Sequence, residues 1–196
     1  MSAPEKYPVA ILLAAGAAKR FGGAKLLHPL EDGVAIAAHA ARNLIAAGLP
    51  VTAVVRPGDF PLAELLEQEG CQVTVCPDAG RGMGVSLAHG VTTARDAGGW
   101  IVALADMPRI RPSTIARVAQ ALAAGADIAA PSYQGDRGHP VGFGRRFLHE
   151  LQALIGDSGA RAVVQRNRAL VRLVDADDPG VLLDIDRRTD LALAQS

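Results

Sequence analysis

Short apolar runs, each too brief for a stable helix, alternate with longer stretches of helical periodicity, and that rhythm constrains the fold more than any other feature. Residues 9–13, 51–55, 72–75, 100–104 and 128–130 are bounded by turn residues and read as buried strands. Between them, 35–47, 62–69, 85–96 and 113–123 are rich in Ala and Leu, with apolar positions recurring three to four apart. Parallel strands need a crossover, usually a helix, to join them. The alternation therefore predicts an α/β fold: a three-layer α/β/α sandwich around a mostly parallel sheet with right-handed crossovers. Gly48, Gly70 and Gly125 fall just past the predicted helix ends, where a left-handed cap is wanted.

After residue 131 the rhythm changes. Residues 132–140 (SYQGDRGHP) form a polar, glycine-rich stretch expected to be a loop, and 141–143 reads as a strand returning to the sheet. Helices are expected over 147–154 and 158–167, the second with Ser158 as N-cap. Late strands are expected over 171–174 and 181–185, and a closing helix over 189–194. No linker, repeat or low-complexity stretch interrupts the chain, so residues 1–196 are expected to form one domain.

Composition narrows the function classes. The chain is 49% hydrophobic and 20% charged, with 20 basic residues balanced by 20 acidic ones. No net field favours nucleic acid or an anionic membrane, so neither is expected as a partner. A polyanionic ligand would need local clusters of positive charge. Cys71 and Cys76 are too few for a disulfide framework and lack the paired spacing of a zinc site. MSAPEKYPVA is not a basic segment leading into an apolar run, and no run is long enough for a bilayer, so the expected compartment is cytoplasmic.

Ligands of open α/β sheets sit beyond the carboxyl ends of the strands, which directs attention to LLAAGAAKRFGGAKLL. Gly16 follows the first strand directly, Gly22 and Gly23 lie a few residues on, and Lys19, Arg20 and Lys25 place three cations within seven positions. Glycines let backbone N–H groups approach an anion, and the cations complete a cradle for a polyphosphate. Neither the dinucleotide fingerprint nor the P-loop fits, because the residue two after Gly16 is Ala18 and five residues separate Gly16 from Gly22. On spacing alone the turn serves equally as a solvated surface loop.

A second candidate is Asp106, directly after the apolar run 100–104. A carboxylate there is costly unless it meets a cation or hydrogen-bond donors, and Mg²⁺ is usually held by one or two carboxylates with phosphate oxygens and water. Asp184 and Asp186 are possible partners, since an extended chain would put both on one face. Capping of the last helix is the alternative role for either.

These motifs carry a resemblance. Strand-LAAG-x-x-x-R-x-G-x-x-K-L, followed by strand-D-x-P, resembles the signature of nucleotidyltransferases with a nucleotide-diphospho-sugar transferase-like, Rossmann-like fold. PDAGRGMGVSLAHG, LADMPRIRPSTI, IAAPSYQGDRGHPVGF, LIGDSGARAVV and DDPGVLLDID extend the likeness from residue 9 to about 193. Together they are similar to the molybdenum cofactor cytidylyltransferase group of the MobA-like NTP transferase family. The resemblance implies a catalytic set of Arg20, Lys25 and Asp106, with Mg²⁺ on Asp106 and Asp186 or Asp184. It implies that Leu13, Ala14, Ala15 and Gly16 bind nucleotide with Arg20 and Lys25, and that Met83, Gly84 and Ser86 lie near ribose and base. Arg137, Gly138, His139 and Pro140 would face the acceptor. Residues from about 7 to 130 would hold nucleotide, and 131–196 would form the substrate side.

The implied activity is transfer of CMP from CTP to molybdopterin or the molybdenum cofactor with release of pyrophosphate, and a molybdenum hydroxylase as the enzyme served. Two departures stand out: Ala18 replaces a serine usual in relatives, and Arg187-Arg188-Thr189-Asp190-Leu191 replaces a Thr-Pro-Glu-Asp-Leu run. Alternatives are the same chemistry with GTP or with a sugar or polyol phosphate, or a non-catalytic accessory that binds the finished cofactor.

Overall fold

The computed structural model describes residues 7–16 and 21–192. Strands Val9–Leu13 (β1), Val51–Val55 (β2), Gln72–Val75 (β3) and Gly99–Leu104 (β4) coincide with the apolar runs, β4 starting one residue early. Helices Ile36–Ala46 (α1), Phe60–Gln68 (α2), Met83–Thr93 (α3) and Pro112–Ala123 (α4) occupy the intervening segments. Ile128–Tyr133 (β5), Asp136–Arg137 (β6), Val141–Gly144 (β7), Leu148–Gln152 (α5), Arg161–Arg166 (α6) and Val171–Asp175 (β8) follow.

The strands form one eight-stranded sheet in the order β3-β2-β1-β4-β7-β5-β6, with β8 along the other edge of β5. β1 pairs in parallel with β2 and β4, β2 with β3, and β5 with β8. β7 runs antiparallel to both β4 and β5, so the sheet is mixed as well as mostly parallel.

Alternation along the strands separates two cores. Ala10, Leu12, Ala53 and Ile101 pack with Ala37, Ala41 and Leu44 of α1, Leu62 and Leu66 of α2, and Ile115 and Val118 of α4. Ile11, Val54, Trp100 and Val102 point to the opposite face and pack with Leu87 and Val91 of α3, Leu151 of α5 and Val163 of α6. Successive strand side chains face opposite ways, so one buried sheet needs a helical layer on each side. α3 lies close on its face because Gly90 lacks a side chain: a Cβ there would stand 2.7 Å from methyls of Ile11 and Val54. Gly48, Gly70 and Gly125 have positive φ, as the cap positions require.

The second half departs from expectation in several places. Residues 132–140 are not all loop: β5 runs on to Tyr133 and turns through Gln134 and Gly135, both with positive φ, into β6. Two such residues suit the tight turn of a hairpin. The expected helix over 147–154 splits into a 3₁₀ turn, Arg145–Phe147, and the short α5. α6 begins at Arg161, with no side-chain cap from Ser158, whose carbonyl instead accepts from the Arg161 N–H. Residues 181–185 are not a strand. Pro179–Leu182 form a 3₁₀ turn, and the chain then leaves along the end of β4. The closing helix is a 3₁₀ turn, Arg188–Ala192, its last two expected residues lying outside those described. No helix among the described residues is long and apolar enough to cross a membrane.

Candidate active site

β1 and β4 end side by side, Leu13 opposite Leu104, and the chain beyond each is pinned: Ala14 donates to the Val54 carbonyl at 2.9 Å and Ala105 to that of Leu13 at 3.1 Å. Asp106 therefore emerges at the carboxyl edge beside the glycine-rich turn. On the other side, the 3₁₀ turn Lys25–Leu27 brings Lys25 back across the sheet end, with the residue only 7% exposed. Its Nζ donates to Asp106 Oδ2 at 2.7 Å and lies 3.6 Å from Asp186 Oδ1. A buried ammonium is tolerable only when matched by negative charge, and two carboxylates supply it. Arg20, the other predicted catalytic cation, lies outside the described residues.

Asp186 reaches this point because the Ile185 N–H donates to the Asp106 carbonyl at 3.0 Å. The approach is fixed further back. Asp178, 1% exposed, accepts from the Arg111 N–H at 2.9 Å, the Thr114 hydroxyl at 2.6 Å and the Gly180 N–H at 3.1 Å. Gly180 passes so close to Arg109 that a Cβ would sit 2.2 Å from the Arg109 carbonyl oxygen. Burial, then the charges of Asp106 and Asp186, raise the pKa of Asp184, which places three carboxyl groups in mutual range. Asp106 Oδ1 is buried and accepts no hydrogen bond. An orphaned carboxylate oxygen beside a second carboxylate is a donor set for a hard divalent cation. No group of three or more His, Cys, Asp or Glu fit to hold a metal occurs among the described residues. Asp106 and Asp186, both beside Lys25, are the carboxylates that could hold such an ion.

A cavity of about 510 Å³ adjoins this cluster. Leu13, Ala15 and Gly16 line it from the end of β1, Met83 and Ser86 from α3, and Asp106 from the end of β4. Gly16 and Arg56 are shared with a smaller recess that holds Lys25, so the two spaces join there. Two expected nucleotide residues serve the wall from behind. Ala14 is buried in the core, and Gly84 faces the loop after α5, its N–H donating to the Gly156 carbonyl at 2.7 Å. Arg56 and Asp157 also line the cavity: Arg56 belongs to no motif, and Asp157 lies in the LIGDSGARAVV stretch, from which no role is assigned to it. Arg56 stands just beyond the expected strand 51–55, and that position was its one available signal.

On the substrate side His139 comes within electrostatic range of both Arg137 and Asp106. Burial first, and the Arg137 charge second, lower its pKa below the ordinary histidine value, with Asp106 opposing. His139 Nδ1 is buried without a partner. Arg137 is exposed along its length, yet partial burial of its guanidinium and the charge of Arg161 lower its pKa. Gly138 and Pro140 are buried and shape the path of the chain, since a Cβ on Gly138 would lie 2.4 Å from the Val181 carbonyl oxygen.

A Rossmann-like α/β sheet carrying a Lys–Asp–Asp cluster beside a glycine-rich first turn defines a nucleotidyltransferase. Residues 10–172 match the MobA-like NTP transferase domain, and the chain belongs to that family. It is 29% identical over 193 residues to the purine catabolism protein PucB of Bacillus subtilis (strain 168), covering 92% of each chain. It is also 29% identical over 186 residues to nicotine blue oxidoreductase of Paenarthrobacter nicotinovorans, covering 90% of each. The crystal structure of Rv0371c from Mycobacterium tuberculosis H37Rv superposes with a TM-score of 0.82 at 28% identity, over 96% of this chain and 98% of that one. The manganese complex of Rv0371c gives 0.80 at 26% identity, over 95% and 97%.

Proposed function

We propose that this nucleotidyltransferase moves CMP from CTP onto the terminal phosphate of molybdopterin or its metal-loaded form, releasing pyrophosphate, with Mg²⁺ as the metal. The observation that carries the reading is the Lys25 ammonium bonded to Asp106 and close to Asp186 at the mouth of the nucleotide-sized cavity. The choice of CTP and molybdopterin is supported by the motifs that resemble the cytidylyl-transferring group, LAAG in the first loop among them. In this reading residues 7–130 hold nucleotide and 131–196 face the acceptor, within one domain.

An acceptor phosphate monoester is largely ionised at neutral pH, so its oxygen attacks without a general base. The new P–O bond forms at the α-phosphorus as the bond to the β-phosphate oxygen breaks, and pyrophosphate leaves with the electron pair. Little covalent work falls to the protein, and its part is positioning and charge. The backbone at Leu13, Ala15 and Gly16 lines the nucleotide cavity, and Lys25 brings positive charge to its edge. Arg20 would add a second cation from the same turn. Arg137 offers a guanidinium fork to the acceptor phosphate, and neutral His139 a ring nitrogen. A divalent ion on Asp106 and Asp186, which Rv0371c's manganese complex also favours, would act as a Lewis acid on the phosphate oxygens.

The test is incubation of the purified chain with each NTP in turn, Mg²⁺ and molybdopterin, reading pyrophosphate release and product mass. Pyrophosphate and a cytidylated pterin with CTP are expected. A guanylated pterin, or turnover only with a sugar or polyol phosphate, would replace the substrates and keep the chemistry. Binding with no pyrophosphate from any NTP would overturn the enzymatic reading.

A further inference from the structure

The loop following α5 crosses the N-terminal end of α3 at backbone contact distance. The Gly84 N–H donates to the Gly156 carbonyl at 2.7 Å, and a Cβ on Gly84 would stand 2.9 Å from that oxygen. A Cβ on Gly82 would be 2.4 Å from the Gly156 carbonyl carbon and 2.6 Å from Asp157 Oδ1. Gly82, with φ of +120°, also takes a backbone conformation that side chains avoid. Gly82, just before α3, and Gly84 in its first turn are thus what lets residues 155–157 lie this close. The consequence is chemical: the Asp157 carboxylate becomes part of the wall of the 510 Å³ cavity, beside Gly82 and Met83.

Asp157 makes no hydrogen bond or ion pair among the described residues, and a neighbouring glycine backbone fixes the loop that carries it. An ionised carboxylate only accepts hydrogen bonds. Against a triphosphate it would be repelled unless a cation lay between them, and the cation-binding pair, Asp106 and Asp186, stands at the ends of other segments. The uncharged half of a nucleotide, in contrast, carries donors: the ribose hydroxyls and, on cytosine or guanine, an exocyclic amine.

We propose that Asp157 is a specificity-determining residue that accepts a hydrogen bond from a ribose hydroxyl or exocyclic base amine of the bound nucleotide. The loop 155–157, from the acceptor-side half of the chain, then selects the nucleotide held by the other half. The proposal rests on the nucleotide-transfer reading above. Asp157 is itself exposed, and its place in the cavity wall is what would let it select for a ligand that carries the matching donor.

The test compares the full-length wild type with Asp157→Asn, which keeps the shape and removes the charge. KM and kcat are measured with CTP, with 2′-deoxy-CTP and 3′-deoxy-CTP, which lack one hydroxyl, and with UTP, which lacks the amine. If the wild type uses GTP, the deoxyguanosine analogues and inosine triphosphate take their places. A hydrogen bond to a charged group corresponds to a discrimination of roughly tenfold or more. The wild type is expected to show that ratio of KM for one analogue over the parent, and Asp157→Asn to bring it within about threefold, with the loss falling mainly on KM for the parent nucleotide. Collapse of a deoxy ratio identifies ribose as the donor, and collapse of the base ratio identifies the amine. Because each ratio is internal to one variant, partial unfolding does not mimic the result. All ratios unchanged in Asp157→Asn would overturn the role of Asp157 alone, whereas a wild type that neither binds nor turns over any nucleotide would overturn the reading beneath it.

Discussion

Replacing Asp178 by alanine should do more damage than any surface mutation, although Asp178 touches no ligand. Its carboxylate is 1% exposed and accepts from the Arg111 and Gly180 N–H groups and the Thr114 hydroxyl, at 2.9, 3.1 and 2.6 Å. Alanine removes three hydrogen bonds and takes the acceptor from three donors at a buried position. Each bond to a charged group contributes about 1.5 kcal/mol, and orphaned buried donors carry a desolvation cost of similar size. Allowing for relaxation, a loss of about 3–5 kcal/mol is expected, which for a chain of this length lowers Tm by roughly 6–20 °C. Thr114→Val removes one of the three bonds in nearly the same volume and should cost about 1 kcal/mol. The damage should also reach the site, because Asp178 anchors the segment that delivers Ile185 to the Asp106 carbonyl and Asp186 to Lys25. Urea unfolding of wild type, Thr114→Val and Asp178→Ala, with manganese affinity measured on each at a temperature where all are folded, makes the comparison. A folded Asp178→Ala that melts within about 2 °C of wild type, or that binds manganese equally well, would refute the anchoring argument.

The remaining predictions concern the cluster itself and one surface pair. Asp106→Ala should abolish pyrophosphate release, by about a hundredfold or more, since it removes both the Lys25 partner and the orphaned oxygen, and full activity in the purified variant would exclude that role. Lys25→Ala should raise KM for the nucleotide and slow transfer, and Lys25→Arg should not fully rescue it, because a planar guanidinium does not reproduce the compact ammonium held between Asp106 and Asp186; steady-state kinetics on both variants check this. Glu69 is held below the ordinary glutamate value, 4.5, chiefly by its hydrogen bonds to Arg42. Its contribution to stability is complete above that value and is lost as pH falls through the depressed folded value. Glu69→Gln should therefore flatten the fall in Tm between about pH 5 and pH 3, and superimposable acid-melting curves would contradict it.

The first half of the fold was legible because most of its strands, β1, β2 and β4, are buried on both faces. Such a strand must be a continuous apolar run, and β1 and β2 match the runs 9–13 and 51–55 residue for residue; β3, a partly exposed edge strand, matches 72–75 because turn residues bound it. In the second half the signals weaken. β8 is half exposed, and α5 and α6 span only five and six residues, too short for periodicity to set their bounds. Residues 181–185 look like a strand by composition, yet the Asp178 contacts and the close pass of Gly180 by Arg109 turn the chain instead.

The site divides in the same way. Lys25, Asp106, Asp186, Leu13, Ala15, Gly16, Met83 and Ser86 could be named from local motifs, since each stands at the end or start of a recognisable element. Sequence also fixes the order in which those elements arrive. Only tertiary structure decided which residues meet: Lys25 and Asp106 are 81 positions apart and share a hydrogen bond, while Gly84 turns away to hold residue 156. Arg56 joins the cavity from a segment with no motif, and Asp157 from a motif that gave it no role. The physical reason is that propensity and periodicity act over a few residues, whereas backbone approach at Gly82, Gly138 and Gly180 depends on what lies opposite each missing side chain, and that is settled when the sheet and its two helical layers close.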